Sequence, residues 1–179
     1  MVYLYHKTNI NTMNIIELLL KELDVEVANT RKMLQRIPND QYDWQPHPKS
    51  MTVRRLATHI ADLPNWIAMT LTTSELDFAT SDWKEEVVNS TDELLAVFER
   101  SVINGKTHLK KASEEELQKQ WTMRSGEQIY MQSTKYEFIR VSIAQIIHHR
   151  AQMGVFLRLL NIPIPGPYGP SADEMEFAA

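Results

Sequence analysis

The chain has 179 residues, a formal net charge of −4 and no cysteine. That length predicts one domain, the acidic balance argues against a protein that binds nucleic acid by neutralising phosphates, and the lack of cysteine excludes disulfides, thiolate nucleophiles and Cys-ligated zinc. The longest apolar runs, such as Ile15 to Leu20, are too short to span a membrane, and the opening MVYLYHKTNI lacks the apolar core of a signal peptide, so a cytoplasmic protein is expected.

Residues 1–12 carry no period and read as a loose arm. Ile16, Leu19, Leu20, Leu23, Val27, Thr30 and Leu34 then recur at helical spacing. They predict a first helix from about Asn14 to Arg36, stopped by Ile37-Pro38. A Pro-rich loop, Tyr42 to Ser50, follows. Ser50 or Thr52 can cap a second helix, whose stripe is Leu56, His59, Ile60, Leu63, Trp66, Ile67 and Leu71. Pro64 lies inside it and predicts a kink, because proline removes a backbone donor and crowds the carbonyl of Ile60. Residues 72–89 show no clean period and read as loop.

Ser90 with Glu93 forms a capping-box pattern that opens a third helix through Leu94, Phe98, Val102, Gly105 and Leu109. Ser113 with Glu116 predicts one more short turn. Two β-favouring segments, Trp121 to Met123 and Ile129 to Met131, flank Gly126 and predict a small hairpin. Thr134 with Glu137 opens a fourth helix, Lys135 to Leu160, stopped by Asn161-Ile162-Pro163. Residues 161–179 read as an extended tail. The fold expected over residues 1–179 is all-α: an antiparallel four-helix bundle with the hairpin before its last helix. Leu23, Ile60, Leu63, Phe98, Ile146 and Leu157 should be buried on the shared stripes.

The candidate chemistry lies in the six histidines. His6, His47 and His108 sit in an arm, a loop and a helix end, and read as solvated. His59 differs, because it interrupts the apolar stripe of the second helix. On pattern alone it is either a hydrogen-bonded core histidine or a ligand. On the fourth helix Gln145 and His149 stand at i and i+4 and project from one face, with Phe138, Ser142, Gln152 and Phe156 nearby. Polar groups on such a stripe are costly unless they are bonded or bind something. His148 is rotated by about 100° from His149 and should face another surface. The pattern holds no P-loop, dinucleotide turn or G-x-S-x-G elbow. The four tryptophans read as core or dimer anchors.

The strings His148-His149-Arg150-Ala151-Gln152, Leu157 to Pro165 and Tyr168-Gly169-Pro170-Ser171-Ala172-Asp173-Glu174 resemble the DinB family, the DNA-damage-inducible DinB/YfiT-like proteins. Leu56 to Trp66 and Asp43-Trp44-Gln45-Pro46 fit the same resemblance. The resemblance implies a bundle with an unusual helix order, often a homodimer and associated with stress responses. It also implies a divalent metal, zinc or nickel, held by three histidines, one from the second helix and two from the last. His59 and His149 match two of these ligands. The third position holds Gln145, whose neutral amide is a weaker donor to zinc or nickel than imidazole.

The function the resemblance implies is a metal-dependent enzyme of the thiol S-transferase type. The metal would be held at His59, Gln145 and His149, with Gln152 and Ser142 orienting a ligand or substrate. The thiol would come from a low-molecular-weight cofactor, and the partner would be a small-molecule substrate, neither nucleic acid nor membrane. Two alternatives stand beside it: a non-catalytic dimeric binding protein with a degenerate, metal-free site, and a metal-dependent hydrolase.

Overall fold

The computed structural model describes residues 14–82, 84 and 86–175. The arm expected over residues 1–12, His6 and Trp83 lie outside the described residues. Helix α1 (Ile15–Leu34) starts at Asn14, whose side chain accepts the Glu17 N–H at 2.8 Å. Helix α2 (Val53–Thr72) is capped by Thr52 rather than Ser50, and it runs unbroken through Pro64. Helix α3 (Thr91–Lys111) follows Ser90, whose hydroxyl accepts from Glu93 N. The Glu93 carboxylate binds the N–H of Asn89 rather than that of Ser90, so this capping box is displaced by one residue. A single turn, α4 (Glu114–Leu117), begins at Ser113. Thr134 and Glu137 form the full reciprocal box that opens α5 (Lys135–Leu159).

The expected hairpin is β2 (Gln120–Ser125) paired antiparallel with β3 (Gln128–Thr134) around Gly126, whose φ of 56° suits a residue without Cβ. A third strand was not expected. Residues Glu75–Asp77, inside the segment that reads as loop, form β1 and pair in parallel with β2. Side chains lock this pairing. The Asp77 carboxylate accepts from Gly126 N and Ala79 N, each at 2.9 Å, and Arg124 reaches both Glu75 and Asp77.

The cross-helix contacts fix the directions of the helices. Arg31 meets Glu99 while Asp24 meets Lys106, so α1 and α3 run antiparallel. His59 meets His149 and Trp66 meets Phe138, so α2 and α5 also run antiparallel. Glu22 pairs with Arg140 and Glu26 with Arg150, however, so α1 and α5 run in the same direction. Thr58 shares a cavity with Val97, and Asn65 bonds Asn104, so α2 and α3 are parallel too. The uniformly antiparallel packing expected from the sequence therefore gives way to a bundle in which consecutive α2 and α3 point the same way. The segment between α2 and α3, described at residues 73–82, 84 and 86–90, makes this possible as the long crossover that parallel neighbours require.

At the α2/α3 contact a Cβ on Gly105 would lie 2.3 Å from the Pro64 carbonyl oxygen. Only glycine permits that approach. The residues expected in the core, Leu23, Ile60, Leu63, Phe98, Ile146 and Leu157, are all buried. A smaller cluster of Leu76, Trp121 and Phe138 seats the sheet against the ends of α2 and α5, with Trp66, Met69, Met123 and Met131 around it. No described helix is long and apolar enough to cross a membrane.

Candidate metal and ligand site

The sheet closes one end of a cavity of about 170 Å³ between α2 and α5. Helix α2 contributes His59, Leu63 and Trp66 at i, i+4 and i+7. Helix α5 contributes Phe138, Ser142, Gln145 and His149, and β2 adds Met123. The structure thus brings His59, Gln145 and His149, residues from helices far apart in sequence, to one cavity. The His59 and His149 rings meet edge to face with centroids 4.8 Å apart.

The tautomer of His149 follows from its partner. Its Nδ1 lies 2.7 Å from the Gln152 amide oxygen, which can only accept. Nδ1 therefore carries the proton, and Nε2 keeps its lone pair. Gln152 thus orients the imidazole in the way outer-sphere partners orient metal-bound histidines. Ser142 is placed differently. Its buried hydroxyl donates back to the Phe138 carbonyl at 3.1 Å, so its proton is committed to the helix. His148 faces solvent, as its helical phase predicts, with its ring centroid 4.9 Å from that of His149.

Both cavity histidines are held neutral. Burial pushes the His59 pKa down to about 4, reinforced by the charge that His149 carries when protonated and by Arg55. Burial also lowers the His149 pKa; the Gln152 hydrogen bond opposes this and His148 adds to it. Near pH 7 each ring therefore offers a lone pair, the form that binds metal. The third donor is an amide. Among the described residues no group of three His, Cys, Asp or Glu side chains is placed to hold an ion. Two imidazole nitrogens and one amide oxygen are chemically competent ligands for a divalent ion. They bring no negative charge, so the donor set fits a weak site rather than a tight one.

Among the described residues, His47 and His108 do not line this cavity. His47 Nδ1 accepts from Lys49 N in its exposed loop, and His108 Nδ1 bonds the Asn104 carbonyl one turn back.

One polar cluster escaped the sequence reading. Arg150, next to His149, is buried, and its Nη1 donates to Glu26 Oε2 at 2.6 Å and to Thr30. Its Nη2 donates to the Tyr168 hydroxyl at 2.6 Å, and that hydroxyl donates in turn to Glu26. The cluster ties α1, α5 and the tail together directly behind the site. Its signal was available: Glu26 interrupts the apolar stripe of the first helix just as His59 interrupts that of the second.

A profile of the DinB family matches residues 6–178. Among solved structures, a DinB-like protein of Bacillus subtilis superposes with a TM-score of 0.64 at 16% identity, over 82% of this chain and 96% of that one. YfiT from Bacillus subtilis, described as a probable metal-dependent hydrolase with an unusual four-helix bundle topology, gives 0.61 at 14% identity, over 84% and 91%. A mycothiol-dependent maleylpyruvate isomerase gives 0.58 at 16% identity, over 79% of this chain and 61% of its own. At these identities the superpositions show a shared fold and nothing finer. A comparison with curated proteins returns no match.

Proposed function

The chain belongs to the DinB family, and on that premise we propose that it is a metal-dependent enzyme of the thiol S-transferase type, acting on a small molecule at His59, Gln145 and His149. The observation that carries this reading is the pairing of two neutral imidazoles across one cavity, with the His149 tautomer set by Gln152. A divalent ion such as zinc or nickel, when bound, supplies Lewis acidity that lowers the pKa of a thiol or water in its open position. His59 and His149 would donate ring lone pairs to such an ion, and Gln145 would add an amide oxygen. Leu63, Trp66, Met123 and Phe138 form an apolar wall that keeps bulk water from the reacting atoms. The thiol is a low-molecular-weight cofactor, because the chain has no cysteine.

Zinc and nickel titrations of untagged wild type, Gln145→His and His59→Ala test this reading. Wild type should bind one ion per chain, Gln145→His at least tenfold more tightly, and His59→Ala not measurably. Equal affinity of wild type and His59→Ala, or no binding by any variant, contradicts it.

The wholly neutral donor set favours a second reading, a binding protein that works without metal. The two separate by metal content after purification without a histidine tag. Hydrolysis by a bound water uses the same donors, and assay of ester and thiol-transfer substrates side by side distinguishes it. Assembly as a homodimer belongs to the proposal as well. Leu18 and Val25, seven residues apart on α1, are each about half exposed and offer an apolar strip on one face. Light scattering should show a dimer at micromolar concentration, and a monomer would exclude it.

A further inference from the structure

A second cavity of about 180 Å³ lies on the other flank of α2, lined by Thr58, His59, Asp62, Asn65, Lys84, Glu86 and Val97. It shares one residue with the α2/α5 cavity, and that residue is His59. Helix phase explains this. Leu63 and Trp66 follow His59 toward α5, whereas Thr58, Asp62 and Asn65 lie on the adjoining face, toward the crossover and α3. The His59 ring is half-buried and lines both spaces.

The two lobes differ in chemistry. The α2/α5 lobe is walled mainly by apolar side chains. In the other lobe the carboxylates are engaged by protein donors. The Glu86 carboxylate is held by both contacts of Arg100, at 2.8 and 3.0 Å. Asp62 accepts from Trp66 Nε1 at 3.0 Å. The Asn65 oxygen accepts from Asn104, which leaves the Asn65 NH₂ as a donor. The Lys84 ammonium is exposed and has no ion pair among the described residues. Donors with no partner among the described residues, beside carboxylates already engaged, favour an anion. Each lobe alone is smaller than a typical ligand site of roughly 300–1,000 Å³, and the pair reaches the lower end of that range.

We infer that the two cavities are one bipartite ligand site, taking a small amphiphilic carboxylate whose apolar end lies against Trp66 and Met123 and whose carboxylate meets Lys84 and Asn65, with its middle beside His59. This rests on the reading of His59 and His149 as the reactive centre and names the ligand class that centre serves.

The test is binding, measured with a chelator present so that metal affinity plays no part. The probes are ω-phenyl carboxylates of three to seven carbons, the matched ω-phenyl alcohols, and the same acids without the ring, followed by calorimetry and Trp fluorescence. One chain length should bind best, at least tenfold more tightly than its alcohol and than its ring-free acid. Lys84→Ala, at an exposed side chain, should weaken the phenyl acid at least threefold and leave the alcohol unchanged. Met123→Trp, which narrows the apolar lobe, should weaken both. Equal affinity of acid and alcohol, indifference to Lys84→Ala, or no binding of any probe overturns the bipartite site. The zinc titration reports on the metal reading separately, so either can fail alone.

Discussion

Two consecutive residues of α5 face opposite sides of the bundle and meet opposite fates. Arg150 points to α1, where Glu26, Thr30 and Tyr168 take up its guanidinium. His149 points to α2, where its ring meets that of His59 in a cavity and its Nε2 has no hydrogen-bond partner among the described residues. The α1 side is a closed account of charge: one buried cation, one buried anion, and a tyrosine hydroxyl bridging them. The α2 side holds neutral groups with bonding capacity left over. Saturation marks the first as structure, and residual capacity is what the proposed binding site draws on. The structural side still matters to the other, because the Arg150 cluster anchors the helical turn that presents His149.

Breaking the α1 side should have the largest effect. Arg150→Met leaves the Glu26 carboxylate buried without its cation, which costs about 3–5 kcal/mol, read by urea denaturation. The pair Arg150→Met with Glu26→Leu should recover much of that loss, since apolar packing of similar volume replaces a buried ion pair at little net cost. Failure of the double variant to recover would show that the tail contact through Tyr168, rather than the charge balance, carries the stability.

The α2 side should dominate the pH dependence. The folded-state pKa of His59 is depressed to about 4 from its ordinary 6.5. Between those values the unfolded chain binds a proton that the folded chain does not. Stability from this group is therefore complete above pH 6.5, falls as pH drops through that window, and levels off below about 4. The full effect is at most about 3 kcal/mol, reduced by the partial exposure of the ring. In chelator-treated protein, His59→Phe should flatten the profile between pH 6.5 and 4. A wild-type profile that is already flat there would contradict the burial of a neutral imidazole.

Smaller effects sharpen the picture of His149. Gln152→Ala removes the acceptor at Nδ1, so the pKa of His149 should fall further in an NMR titration. Any zinc affinity should fall by roughly tenfold, the lower end of what outer-sphere partners contribute. His148→Ala should do the least. It removes a neighbouring charge that lowers the His149 pKa, so that pKa should rise slightly with no change in fold.

Much of the helical layout was legible because its signals are local. Thr52, Ser90, Ser113 and Thr134 cap the predicted helix starts, and Asn14 caps the first. The third strand was not legible. Glu75-Leu76-Asp77 is too short to show a period, and the bonds from Asp77 to Gly126 and Arg124 that hold it cross nearly fifty residues of sequence. Helix direction was hidden for a related reason, since it depends on the course of the crossover over residues 73–90. His59, Gln145 and His149 could be picked out because each is a polar residue on an inward face. Glu26 and Arg150 satisfy the same criterion, but charged residues are so seldom fully buried that composition steers attention away from them. Met123 reaches the cavity from a strand that no helical pattern places there.

In the proposed site His59 and His149 are the ligand pair of a metal ion, completed by Gln145. X-ray absorption at the zinc edge of untagged protein loaded with one equivalent of zinc tests it most directly. Two imidazole ligands are expected, with the remaining scatterers oxygen, and a third imidazole in Gln145→His. A spectrum without imidazole scattering, or one unchanged in Gln145→His, would contradict it.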